Sequence, residues 1–172
     1  MSLRTGQWLA VVLLTLLSLT ACHSAVDASA EGPAELGVIQ QSLTRIVAEA
    51  DANTRVSWVH GWGGNGDVKN CQDGSVMGYC WQWQELIYQR VGPEVRRVGW
   101  EAARININND WFSEHHAVVV FDPKIISRDK LLGSPDLNGW VLDPWLHGKP
   151  EIYRLQDWLG SPVIVFESAA LE

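Results

Sequence analysis

The chain is short of basic charge: 13 Lys and Arg stand against 20 Asp and Glu in 172 residues. A protein that gripped nucleic acid or an anionic membrane through charge would need the opposite balance. No block of like charge forms a tail-like interaction segment, and there is no internal repeat or low-complexity tract. Metal-binding spacings are missing, with no Cys-x-x-Cys and no His-x-x-x-His. Asp110, Glu114, His115 and His116 crowd into seven residues, but adjacent strand histidines diverge. Asn65, Asp67, Asn70 and Asp73 lack the closing Glu of an EF-hand loop. Gly61 to Gly66 lacks the Gly-Lys-Ser/Thr ending of a phosphate loop. No metal or other cofactor is expected.

Long apolar runs are scarce too. One stands out, Trp8 to Leu19, and its dozen or so residues fall short of the ~20 that a spanning helix needs. Arg4 precedes it and Leu19-Thr20-Ala21-Cys22 closes it. This resembles a bacterial lipoprotein signal, cut before a cysteine that then takes lipid. The resemblance implies an exported protein of the cell envelope, held on the membrane by acyl chains on Cys22 and not by a spanning helix. Residues 1–21 are read as the leader, 22–33 as a flexible tether of small and polar residues, and 34–172 as one domain. Removing the leader leaves 151 residues, enough for a real core.

Cysteine is rare. Beyond Cys22 only Cys71 and Cys80 remain, nine positions apart. In an exported chain the pair is a candidate disulfide. The context of Cys80 favours a different use. Apolar spacing predicts a helix over 34–52 from Leu36, Ile39, Leu43, Ile46 and Val47. A second helix is expected from Cys80 to Val91, stopped by Gly92-Pro93. Between them, residues 54–79 read as a long glycine-rich loop. Strands are expected at 98–107, 116–121, 140–142 and 163–166, with a short helix over 152–159. Helices followed by strands predict an α+β fold with an antiparallel sheet.

Three residues then stand at the ends of rigid elements. Cys80 opens a helix, where the dipole favours a thiolate. His116 opens an apolar strand, where an imidazole can take the thiol proton. Asp143 closes the next strand, where a carboxylate can orient that imidazole. Adjacent strand residues face opposite sides, so one of His115 and His116 meets Cys80. The reading takes His116, with His115 as the alternative base. Oxyanion donors are sought in the backbone N–H of Cys80, the Gln72 amide, and the indoles of Trp58 or Trp62.

The ordered trio, the Gly78-Tyr79-Cys80-Trp81 elbow, the His116-Ala117 strand start and the Val141-Leu142-Asp143-Pro144 strand end resemble the transglutaminase-like branch of the papain-like cysteine peptidase superfamily. The resemblance spans Gly74 to Trp145. It implies N-terminal helices packed on an antiparallel sheet, with Cys80, His116 and Asp143 as a catalytic triad. It also implies a thioester formed by attack of Cys80 on a peptide bond or glutamine carboxamide, resolved by water or an amine. Peptide or protein substrates are expected, peptidoglycan peptides among them. The alternative is a non-catalytic envelope lipoprotein with Cys71 and Cys80 bridged. Its surface, drawn from the 10 Trp residues, would bind glycan or protein.

Overall fold

The computed structural model describes residues 25, 32–108, 114–133, 138–160 and 168–172. The leader, Cys22, most of the tether, Asp110 and the strand expected at 163–166 lie outside the described residues. Among the described residues no helix is long and apolar enough to cross a membrane.

The domain is α+β. Helix α1 (Ala34–Asp51) buries Leu36, Ile39, Leu43, Ile46 and Val47 along the face that the sequence spacing marks. Helix α3 (Cys80–Arg97) lies against it. It runs through Gly92-Pro93 instead of stopping there. Ile87, Val91 and Val95 recur every fourth residue and are all buried. Each such burial stabilises by about 1.5–3 kcal/mol, which together outweighs the ~3 kcal/mol cost of an interior proline.

The segment expected to be irregular contains β1 (Ser57–Trp58), helix α2 (Gly61–Asn70) and β2 (Val76–Met77), with β1 and β2 paired in parallel. Glycines at 61, 63, 64 and 66 mask α2 in the sequence. Tertiary contacts hold it instead. The Gly61 N–H donates to the Trp145 carbonyl at 2.7 Å, and Gly64 sits so close to Val59 that a Cβ would lie 2.9 Å from that side chain.

Among the described residues, five strands form an antiparallel sheet in the order β6-β5-β4-β3-β7. They are β3 (Glu101–Ile107), β4 (His115–Phe121), β5 (Trp140–Leu142), β6 (Ile152–Arg154) and β7 (Ala169–Leu171). A short 3-10 turn (Arg128–Lys130) lies between β4 and β5, and helix α4 (Leu155–Leu159) follows β6. The expected helix over 152–159 is therefore a strand and then a helix. Strand β4 is central, as its unbroken apolar run implies.

The sheet has two buried faces. Val118, Val120 and Leu142 pack with α1 and α3. Ala103, Ile105, Ile107, Ala117, Val119 and Val141 pack with Leu131, Leu155 and Trp158. The register pairs Ile107 with His115, Asn106 with His116, and Val119 with Val141. This alternation decides which histidine can reach Asp143.

Candidate active site

The elbow before α3 is tightly built. The side-chain oxygen Oε1 of Gln82 accepts the N–H groups of Gly78 (2.7 Å) and Tyr79 (3.0 Å). This satisfies peptide donors that a helix start otherwise leaves open. Gly78 has φ +150°, and a Cβ there would lie 2.1 Å from the Val59 carbonyl oxygen. That same oxygen accepts the Trp83 indole N–H at 2.8 Å. Val59 is thus clasped between the elbow and the first turn of α3, and Cys80 is held at that turn.

Asp143 follows β5 and shares the face of Val141, the face on which His115 stands. His115 Nε2 lies 2.7 Å from Asp143 Oδ2, and both side chains are almost wholly buried. His115, not His116, is therefore the imidazole that meets the carboxylate. The two strands are neighbours in one sheet, so a carboxylate at the odd position just past β5 reaches only odd positions in β4. His116 turns to the other face, where its Nε2 lies 3.1 Å from Glu114 Oε1. Burial pulls His116 below the ordinary imidazole range against the opposing charge of Glu114.

The electrostatics of His115 run the other way. Burial alone would push the imidazole down. The charge and hydrogen bond of Asp143, with a smaller contribution from Cys80, override it and raise His115 to about 10. The Asp143 carboxyl is held below its usual range: burial opposes this, but His115, the Trp158 indole and the Trp145 backbone N–H all favour the anion. With Nε2 committed to Asp143, Nδ1 is the ring nitrogen left for the thiol. It has no partner at conventional hydrogen-bond geometry; the Cys80 thiol acts on the ring as a looser contact.

Aromatic rings enclose the pair. The Trp145 ring centroid lies 4.8 Å from that of His115 and the Trp158 centroid 5.7 Å. Trp62 meets Trp145 edge-on at 5.1 Å, and its own ring stays about half exposed, as does that of Trp81 beside Cys80. Gln84, one turn beyond Cys80, is buried and donates to Ile105 O, Asn106 Oδ1 and Ala117 O at 3.1, 2.9 and 2.7 Å. Arg104 adds a surface tie to Glu85. These contacts set the height of α3 over β3 and β4.

The structure thus brings Cys80 and Asp143 together around His115. Gln72 is not gathered in: it lies exposed in the turn after α2 and hydrogen-bonds none of the three. The peptide N–H groups of Cys80 and Trp81 at the start of α3 are the better-placed donors, since those of Gln82 and Trp83 already donate to the Tyr79 carbonyl at 2.9 and 3.1 Å. Cys71 and Cys80 are both free thiols, which removes the bridge from the disulfide-module alternative. Cys71 instead contacts Ser75 Oγ and Asp73 Oδ1 at 3.1 and 3.3 Å. Among the described residues no group of His, Cys, Asp and Glu is arranged to hold a metal ion.

Sequence reasoning missed Gln84, Trp145 and Trp158 as parts of the site. Gln84 was findable, as a polar residue four positions after Cys80 on the same helical face. Trp145 stands two residues after Asp143. Trp158 carries no local signal. No known family model matches the chain, and neither a curated protein nor a solved structure matches it.

Proposed function

We propose that the protein is a thiol-dependent acyl transferase or amidohydrolase, working through Cys80, His115 and Asp143 on peptide or glutamine carboxamide bonds. The observation that carries this reading is the His115 Nε2 to Asp143 Oδ2 contact of 2.7 Å, made by a ring on which the Cys80 thiol also acts. A carboxylate on one ring nitrogen leaves the other to exchange a proton with a nucleophile. The order of the trio along the chain and its setting on helix start, strand start and strand end support a transglutaminase-like or papain-like domain.

In the proposed cycle, the Cys80 proton already rests on His115, whose raised proton affinity favours an imidazolium paired with the thiolate, and that thiolate attacks the carboxamide carbon. The Cys80 and Trp81 N–H groups stabilise the oxyanion. The imidazolium then protonates the departing ammonia or amine, leaving a thioester on Cys80. Water or a substrate amine, deprotonated by His115, releases the acyl group. Asp143 stays ionised throughout and holds the ring. The lipoprotein-like leader supports a place on the cell envelope, with anchoring through Cys22, and so favours envelope peptides and proteins as substrates.

The test is to incubate the mature domain with glutamine-bearing peptides and with peptidoglycan stem peptides. The reading expects an acyl adduct on the Cys80 peptide by mass spectrometry, released by hydroxylamine as a hydroxamate and absent in Cys80→Ala. Absence of any Cys80 adduct or hydroxamate across both substrate classes contradicts it.

A further inference from the structure

The Asp143 carboxylate is buried and accepts three N–H groups. Its Oδ2 takes His115 Nε2 at 2.7 Å and the Trp158 indole Nε1–H at 2.9 Å, while Oδ1 takes the Trp145 backbone N–H at 3.3 Å. Two of these donors need no explanation beyond the trio and its own turn. The third comes from a helix of five residues, fifteen positions downstream of Asp143.

Trp158 is placed with some care. Helix α4 starts where the Leu155 N–H donates to the Gly139 carbonyl at 2.9 Å, just ahead of β5. Leu155 and Trp158 are the buried residues of the helix, and both pack into the sheet face that carries Val141 and Ala117. The indole therefore arrives on the Asp143 side of the sheet with its one polar atom aimed at the carboxylate.

We propose that Trp158 is a positioning residue of the site: its N–H fixes Asp143 Oδ2 while its ring walls the His115 imidazole from water. An indole N–H only donates. With His115 and Trp158 both donating to Oδ2, a proton on that oxygen would point at a donor, and one on Oδ1 would oppose the Trp145 N–H. The carboxylate is thereby kept as an acceptor. That in turn keeps a hydrogen on Nε2 and turns Nδ1 toward the thiol. A buried carboxylate left with one donor fewer bears an uncompensated desolvation cost.

Among the described residues, the other charged or titratable groups near Asp143 are His115 on β4, with Cys80 beyond it, and Glu151 and Tyr153 on the β6 side. The Glu151 carbonyl accepts the Asp143 N–H at 3.1 Å. The Tyr153 hydroxyl is spent on Glu151 Oε2 at 2.7 Å. Neither Glu151 nor Tyr153 is positioned to replace the Trp158 donor.

The inference rests on the proposed function for its catalytic meaning, so the experiment has one readout independent of catalysis. Trp158 is replaced by 3-benzothienylalanine, which keeps the fused ring and exchanges N–H for sulfur, and separately by Phe. The Asp143 carboxyl carbon is followed by NMR against pH, and the pH profile of Cys80 alkylation by iodoacetamide is recorded in parallel. Loss of a hydrogen bond to a charged acceptor is expected to raise the Asp143 midpoint by about one pH unit or more. The acid edge of the alkylation profile moves the same way. A folded benzothienylalanine variant whose Asp143 midpoint matches the wild type overturns the inference. An alkylation profile that His115→Gln leaves unchanged would instead defeat the proposed function, leaving the carboxyl titration to decide the role of Trp158.

Discussion

The Gln84 amide nitrogen donates to the Ala117 carbonyl at 2.7 Å, tying the first turns of α3 to the strand that begins with His115. The same nitrogen also reaches Ile105 O and Asn106 Oδ1. Cys80 and His115 belong to different elements, so this link sets their separation. Replacing Gln84 by Met keeps the length and removes the donor. Leaving buried acceptors unsatisfied costs about 1–3 kcal/mol. Urea denaturation is expected to show a loss of that size, and alkylation of Cys80 is expected to slow in the protein that remains folded.

Two kinds of glycine surround the site, and they predict opposite signs. Gly78 is required by space, because a Cβ would lie 2.1 Å from Val59 O. Gly78→Ala is expected to destabilise by more than about 2 kcal/mol, since backbone must move. Gly63 and Gly66 in α2 have nothing within 4 Å of such a Cβ. Gly63→Ala and Gly66→Ala are each expected to stabilise, by up to about 1 kcal/mol, through helix propensity. Thermal melts of the three single variants check the contrast.

The His115–Asp143 pair gives stability a defined pH window. His115 is raised from 6.5 to about 10 on folding. Its contribution is therefore complete below about pH 6.5 and is lost as pH rises through about 10. Asp143 is lowered from 3.8. Its contribution is complete above that value and is lost as pH falls through the lowered one. The pair is fully effective between these limits, in mildly acidic solution. Urea midpoints from pH 3 to 10 are expected to peak there. His115→Gln, which keeps a donor for Asp143 but cannot titrate, is expected to lose the alkaline decline.

Much of the frame was legible in the sequence, and what was missed has physical causes. Leu36, Ile39, Leu43, Ile46 and Val47 mark α1 by period alone, and Cys80 and Asp143 announce themselves at element ends. The choice between His115 and His116 did not, because β4 is apolar on both faces and so carries no alternation of its own. The parity is written in its neighbour: Ile107 on the buried face pairs with His115, and polar Asn106 pairs with His116. Reading that requires the register. Helix α2 was hidden by glycines whose seat on Val59 and Trp145 is tertiary. Pro93 misled because local cost was weighed without the Ile87, Val91 and Val95 face. The Trp158 donor depends on a contact across the sheet that no local pattern encodes.

The most direct test of the site compares iodoacetamide labelling of Cys80 at neutral pH in the wild type, in His115→Gln and in His116→Gln, each checked for its fold by circular dichroism. Proton transfer by a positioned base is worth about 10²-fold or more. The account predicts that labelling falls by at least that factor in folded His115→Gln and stays near wild type in His116→Gln. Labelling that survives the loss of His115, or that collapses with His116 instead, would contradict it.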